Sequence, residues 1–223
     1  MIRSFSLAAF VLASSIAVAA PPTPLATTPA EALSKLGLLD GRNPAITKDE
    51  AGLIEDAEDG KFDRYSFTEA CLIAGGVLDP KARKKYLDRL DVMEADARKA
   101  TADSKSVSED GIRLLKFLHA GPMAGGYKTE QTDLHVLLDT KEFNCVSSAA
   151  LYTVMGQRLG IDVRAVEVPQ HVFSVLVTRD RKIDVETTAA LGFDMDPMRG
   201  DGPAKAKRPA NQRREVGPPG LAA

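Results

Sequence analysis

The chain has 223 residues, 44% hydrophobic and 27% charged, a composition that supports one folded core, alone or with a helical annex. A net charge of −2 and an aromatic content of 5% supply neither a general pull towards nucleic acid nor the surfaces on which bases stack, which excludes a polynucleotide partner. Cysteine, histidine and carboxylate can all ligate zinc, but two cysteines and three histidines occur with no paired-ligand spacing, so no metal and no organic cofactor is expected.

At the N-terminus Arg3 precedes an apolar stretch from Leu7 to Val18 that ends on Ala17-Val18-Ala19-Ala20. This is the layout of a secretory signal peptide over residues 1–19, with cleavage expected after Ala19. The apolar run is short for a membrane span, and no cysteine follows it to carry a lipid anchor. The mature protein is therefore expected in the periplasm or outside the cell, with no stable membrane insertion. Residues 20–27, rich in proline, read as a mobile leader.

Residues 28–126 read as a helical annex. Thr28-Pro29-Ala30-Glu31 combines an N-cap, an N1 proline and an N3 glutamate, and opens a short helix to about Leu39. The capping pattern recurs at Thr47 to Glu50, Ser66 to Glu69 and Ser106 to Glu109. Asp79-Pro80 starts a longer helix in which Tyr86, Leu90, Met93 and Ala97 form one apolar stripe, with lysines and arginines on the solvated face. Ile112, Leu115 and Leu118 mark the core side of the next helix, and His119 closes it as a cation near the last carbonyls. Gly121-Pro122 and Gly125-Gly126 predict a flexible connection.

Residues 127–192 carry the chemistry. After a short helix over 132–138, Asn144 is a favoured N-cap, and Val146, Ala149, Ala150, Val154 and Met155 recur at helical spacing until Gly160. Cys145 thus sits in the first turn, where unpaired N–H groups stabilise a thiolate and can hold an oxyanion. Three alternating runs follow, over 162–168, 171–178 and 183–187, separated by Pro169 and the polar turn Arg179-Asp180-Arg181-Lys182. They predict an antiparallel meander in which His171, Phe173, Val175 and Val177 share one face, as do Asp184 and Glu186. A neutral imidazole at His171 facing Cys145 can take its proton, and a carboxylate on the next strand can fix the ring tautomer. His135, ten residues before the cysteine on another element, reads as a surface or packing residue.

The runs F-N-C-V-S-S-A-A-L-Y, L-G-I-D-V-R-A-V, V-P-Q-H-V-F and D-V-E-T-T resemble the core of the transglutaminase-like superfamily, the papain-related Cys-His-Asp group. In that family the acid lies about fifteen positions after the histidine, which here is Glu186; Asp184, one pleat earlier, is the alternative. Upstream, F-T-E-A-C-L-I-A, Asp79-Pro80 and Y-L-D-R-L-D resemble the helical segment that precedes the core in bacterial SirB-type proteins. This sequence departs from the family in three places: glutamate replaces aspartate, Gln170 stands where glycine is common, and tryptophan is absent.

The resemblance implies an α+β fold, a helical N-terminal annex packed on a core in which the cysteine helix lies against an antiparallel sheet. It implies an exported thiol enzyme that transfers acyl groups, or hydrolyses amides or isopeptides, through a Cys145 thioester, acting on a peptide or protein amide. The alternative is a catalytically silent module of the same fold that binds a partner. An exported protein can also oxidise Cys71 and Cys145 to a disulfide, although Cys71 lies with Phe67, Ala70 and Ala74 on one apolar helix face, the setting of an inert buried thiol. Residues 193–223, rich in proline, glycine and charge, read as a disordered or linker tail, with Arg213 to Gly217 a lead-in to further structure.

Overall fold

A computed structural model describes residues 46–194 and the backbone of 214–216. Helix α1 (Lys48–Asp56) and helix α2 (Phe67–Ala74) both open on complete capping boxes, Thr47 with Glu50 and Ser66 with Glu69. Helix α3 (Pro80–Thr101) starts with Pro80 in its first turn and the Asp79 carboxylate accepting from Ala82 N at 3.0 Å. Helix α4 (Val107–Ala120) is capped by Ser106 alone. The expected return bond from Glu109 is absent because its carboxylate accepts from Lys105 N and pairs with Arg113.

The connection after α4 is held at several points rather than loose. Met123 N donates to Leu118 O at 2.7 Å, Met123 is buried, and Gly125 N donates to Lys141 O at 3.0 Å. A two-residue strand β1 (Gly126–Tyr127) pairs in parallel with β2 (Glu142–Phe143), with helix α5 (Leu134–Thr140) between them. The expected annex boundary at residue 126 therefore falls inside β1.

Helix α6 (Cys145–Arg158) follows β2 directly. Strands β3 (Val163–Val168), β4 (His171–Val177) and β5 (Lys182–Val185) then form the meander, and Glu186 lies one residue beyond the end of β5. Strand β6 (Arg214–Val216) adds to the free edge of β3, giving an antiparallel sheet of order β5-β4-β3-β6. The stretch expected to be an unstructured tail thus includes a strand, and Phe193 bridges Val185 and packs on the core. The proposed signal peptide, the leader and the helix expected before residue 40 lie outside the described residues.

The architecture is α+β, with one hydrophobic cluster running through α2 to α6 and one face of the sheet: Leu72, Leu90, Leu118, Leu137, Leu151, Leu176 and Val185 all belong to it. The opposite sheet face carries a smaller cluster, Val166, Val168, Phe173 and Val175. Helix α6 is buried along its length from Ser147 to Gly156 because it lies between the other helices and the sheet. That sandwiched position explains its small residues: a Cβ on Gly156 would approach Val163 to 2.6 Å. No helix among the described residues is long and apolar enough to cross a membrane.

Gly111 marks the tightest joint between α4, α6 and the sheet. Tyr152 is fully buried and its hydroxyl donates to Gly111 O at 3.1 Å. A Cβ on Gly111 would lie 2.5 Å from Leu176 Cδ1, 2.6 Å from Phe193 Cε2 and 2.9 Å from the Tyr152 hydroxyl. Overpacking outweighs the better helix propensity of alanine here, so Gly111→Ala should lower stability by about 1–3 kcal/mol in urea unfolding. An unchanged or raised midpoint would show that this joint gives way freely.

Candidate active site

Cys145 is the first residue of α6, and its setting is fixed by the N-cap. Asn144 Oδ1 accepts from Val146 N at 2.9 Å and Ser147 N at 3.2 Å, while Ser147 Oγ accepts from Asn144 N at 3.1 Å. The same two side chains reach back to the segment after β1: Asn144 Nδ2 donates to Thr129 O at 2.9 Å and Ser147 Oγ to Gln131 O at 2.7 Å. The N–H of Cys145 itself has no acceptor among the described residues, so the helix end keeps a free donor beside the thiol.

His171 opens β4, straight after a tight turn in which Gln170 adopts φ 63°, the left-handed region that glycine occupies most easily. Its ring lies nearly parallel to Phe173, centroids 6.3 Å apart. Nε2 is 2.7 Å from Glu186 Oε2. An ionised carboxylate only accepts, so Nε2 is the donor of this bond, and in the neutral ring the lone pair lies on Nδ1. The other oxygen, Glu186 Oε1, accepts from Thr188 Oγ1 at 2.7 Å. Asp184 stands opposite Val175 in the β4–β5 ladder, one pleat earlier; the carboxylate bonded to His171 is that of Glu186.

The segment that carries Glu186 is clamped from two helices. Thr187 Oγ1 lies 2.9 Å from Ser148 Oγ, both residues fully buried, and Ser148 Oγ lies 3.4 Å from the Cys145 carbonyl. His119 Nε2, at the end of α4, donates to Thr187 O at 3.0 Å. Burial lowers the His119 pKa against the opposing pull of that bond, so the residue is not the helix-terminating cation expected from the sequence. Behind Glu186 the chain closes on itself: Glu186 N donates to Gly192 O at 2.8 Å, and a Cβ on Gly192 would fall 2.0 Å from Glu186 O.

A chain of edge-on rings completes the surround. His119 meets Phe143 at 5.6 Å, and Phe143 meets Tyr127 at 6.1 Å. Tyr127 is half-exposed, and its phenol pKa is raised first by partial burial and then by negative charge at Cys145, Glu186 and Glu130. The first turn of α6 and the segment that carries Glu186 meet through Ser148 and Thr187. No hydrogen bond joins Cys145 Sγ to His171 among the described residues. Ser148 and Thr187 lie inside the family-like runs without a role of their own there, and Tyr127 and His119 lie outside them; Gly125, expected in a flexible connection, instead permits a close backbone approach ahead of Tyr127.

The remaining titratable candidates lie elsewhere. Cys71 and Cys145 are both free thiols, and burial pushes the Cys71 thiol up to about 12. His135 packs edge-on to Tyr86 at 5.9 Å, with Nδ1 buried and unpaired. Among the described residues no three His, Cys, Asp or Glu side chains gather as metal ligands. An open groove of about 890 Å³ is lined by Lys85, Arg89, Val92, Phe117 and Lys141, among others, and not by Cys145, His171 or Glu186.

A helix that opens on a thiol and an antiparallel sheet that carries an imidazole-carboxylate pair define a class, the mixed α+β domains in which such a helix packs on such a sheet. A sequence profile of the transglutaminase-like superfamily matches residues 84–201, more than half of the chain and all three of Cys145, His171 and Glu186. The chain belongs to the transglutaminase-like superfamily. No curated protein matches it.

Two outcomes follow from the clamp. Ser148→Ala or Thr187→Val alone leaves a buried hydroxyl without its partner and should cost about 1–3 kcal/mol, while the double variant should cost less than the sum, measured by urea unfolding. Strict additivity would mean that the two hydroxyls do not interact. For His119, a folded-state pKa below the unfolded value of about 6.5 means that the unfolded chain binds the proton first. Its contribution is complete above that value and is lost as pH falls towards the folded pKa. His119→Gln should therefore flatten the fall in stability between about pH 7 and pH 5.

Proposed function

We propose that this protein is an exported thiol enzyme of SirB-type layout, transferring acyl groups or hydrolysing amide or isopeptide bonds of a peptide or protein through a thioester on Cys145. The observation that carries this reading is the 2.7 Å bond between His171 Nε2 and Glu186 Oε2. It directs the one basic nitrogen of the ring, Nδ1, away from the carboxylate, and that is the nitrogen a thiol proton must reach. Export rests on the signal-like residues 1–19, and the SirB-type layout on the helical motifs upstream of the core.

In this reading His171 Nδ1 takes the Cys145 proton as Sγ attacks the substrate carbonyl. The carbonyl π pair moves to oxygen, and the Cys145 N–H, left open by the Asn144 cap, donates to that oxyanion. Collapse expels the amine with the proton held on His171, leaving a thioester. Water as acceptor completes hydrolysis, and an amine as acceptor completes transamidation; in both, His171 accepts the incoming proton and returns it to sulfur. Glu186 stays ionised throughout and supports the imidazolium. Thiol and imidazole are not bonded at rest, and such bonds commonly tighten only around substrate.

That same resting separation favours a second reading, a silent module of this fold that binds a partner. Alkylation separates the two. Iodoacetamide should label Cys145 in the native protein, and His171→Ala should slow that labelling by about 10²-fold, the scale of general-base catalysis, with Glu186→Gln intermediate. Cys71, whose thiol is pushed up to about 12, serves as the internal reference that labels slowly in the native protein. Slow labelling at Cys145 that ignores both substitutions would leave the silent module.

A further inference from the structure

We propose that the Tyr127 hydroxyl is the second oxyanion donor of this site, facing the tetrahedral intermediate together with the Cys145 N–H. The inference rests on the reading of Cys145 as nucleophile and adds a catalytic residue to it. An oxyanion site needs convergent donors about 2.7–3.1 Å from the developing charge. Helix α6 offers only one: the N–H groups of Val146 and Ser147 are taken up by Asn144 Oδ1, and that of Ser148 by Asn144 O. A second donor has to come from a neighbouring element, and β1 is the element laced to this helix end.

The lacing is dense. Tyr127 pairs with Phe143, two residues before the thiol, and Lys128 N donates to Phe143 O at 2.7 Å. The next residues are bonded to the cap itself, through Thr129 O and Gln131 O. The close approach depends on Gly125, where a Cβ would meet the Lys141 and Glu142 main chain at 2.7–2.8 Å, and on Gly126 at φ 88°. Tyr127 is thereby fixed beside the start of α6, its ring set edge-on against Phe143 at 88°.

The hydroxyl is also available. Tyr86 and Tyr152 direct theirs to Asp139 and Gly111, whereas that of Tyr127 has no hydrogen-bond partner among the described residues and the side chain is 53% exposed. Edge-on contact with Phe143 accounts for the place of the ring but leaves the hydroxyl without a protein partner among the described residues. Its hydroxyl feels both Cys145 and Glu186, and those charges, after partial burial, hold the phenol protonated above its ordinary range. It remains a donor wherever the thiol is reactive.

Two reagents isolate the role, because only one passes through an oxyanion. Iodoacetamide alkylates by displacement at saturated carbon: a carbon–sulfur bond forms and iodide leaves. p-Nitrophenyl acetate acetylates by addition at a carbonyl: sulfur bonds to the acetyl carbon, p-nitrophenolate leaves, and the thiol proton passes by way of His171 to solvent. With the full chain, Tyr127→Phe should keep the iodoacetamide rate at Cys145 within about twofold and lower the acetylation rate by about 10²-fold, the scale of one lost donor. Equal rates with both reagents, or an equal fall in both, would overturn the role of Tyr127 and leave the nucleophile standing. A wild-type Cys145 whose reactions with both reagents are slow and unaffected by His171→Ala would overturn the thiol-enzyme reading and this inference with it.

Discussion

Glu186 can hold the ring of His171 only if the short segment beyond β5 is itself held, and that constraint falls on its neighbour Thr187. The Thr187 hydroxyl is buried against Ser148 of α6, and its carbonyl accepts from His119 of α4. The Ser148–Thr187 pair cannot be exchanged for water at full burial, so losing one hydroxyl leaves the other stranded at a cost of about 1–3 kcal/mol. The carboxylate is thus positioned by two helices as well as by the sheet. Ser148 lies one turn after Cys145, so the clamp that holds the acid also joins it to the helix of the thiol.

Through this clamp the helical part of the chain becomes part of the site. Helix α4 reaches it by His119, whose Nε2 donates to the Thr187 carbonyl while burial holds the ring's pKa below its ordinary value. Phe143 extends the same line of rings to the half-exposed Tyr127. The two thiols stand in different settings. Desolvation pushes the Cys71 thiol up to about 12, whereas Cys145 opens α6 with its own N–H free among the described residues.

Elements with strong local signals were legible from sequence. Thr47, Ser66, Asp79 and Asn144 all cap helices, and strict alternation marked β3, β4 and β5 within about two residues. Spacing from His171 singled out Glu186, the carboxylate that the fold brings to the ring. What escaped has little local signal. Strands of two residues, such as β1 and β2, are too short to show a period, and Gly125-Gly126 permits close packing as readily as flexibility. Strand β6 exists by pairing with β3 across nearly fifty residues of chain, so the run that holds it, Arg213 to Gly217, reads only as a lead-in to further structure and not as a strand of this sheet. His119 and Tyr127 were misread or passed over because their partners, Thr187 and the Cys145 end of α6, lie far along the sequence.

The account turns on which nitrogen of His171 carries the proton, and long-range ¹H–¹⁵N correlation spectra of the imidazoles read this directly. At neutral pH the His171 signals should show the Nε2–H tautomer with a strongly deshielded, slowly exchanging proton, and both features should disappear in Glu186→Ala. A ring found as the Nδ1–H tautomer, or one averaging freely between the two in the intact protein, would contradict the arrangement of thiol, imidazole and carboxylate described above.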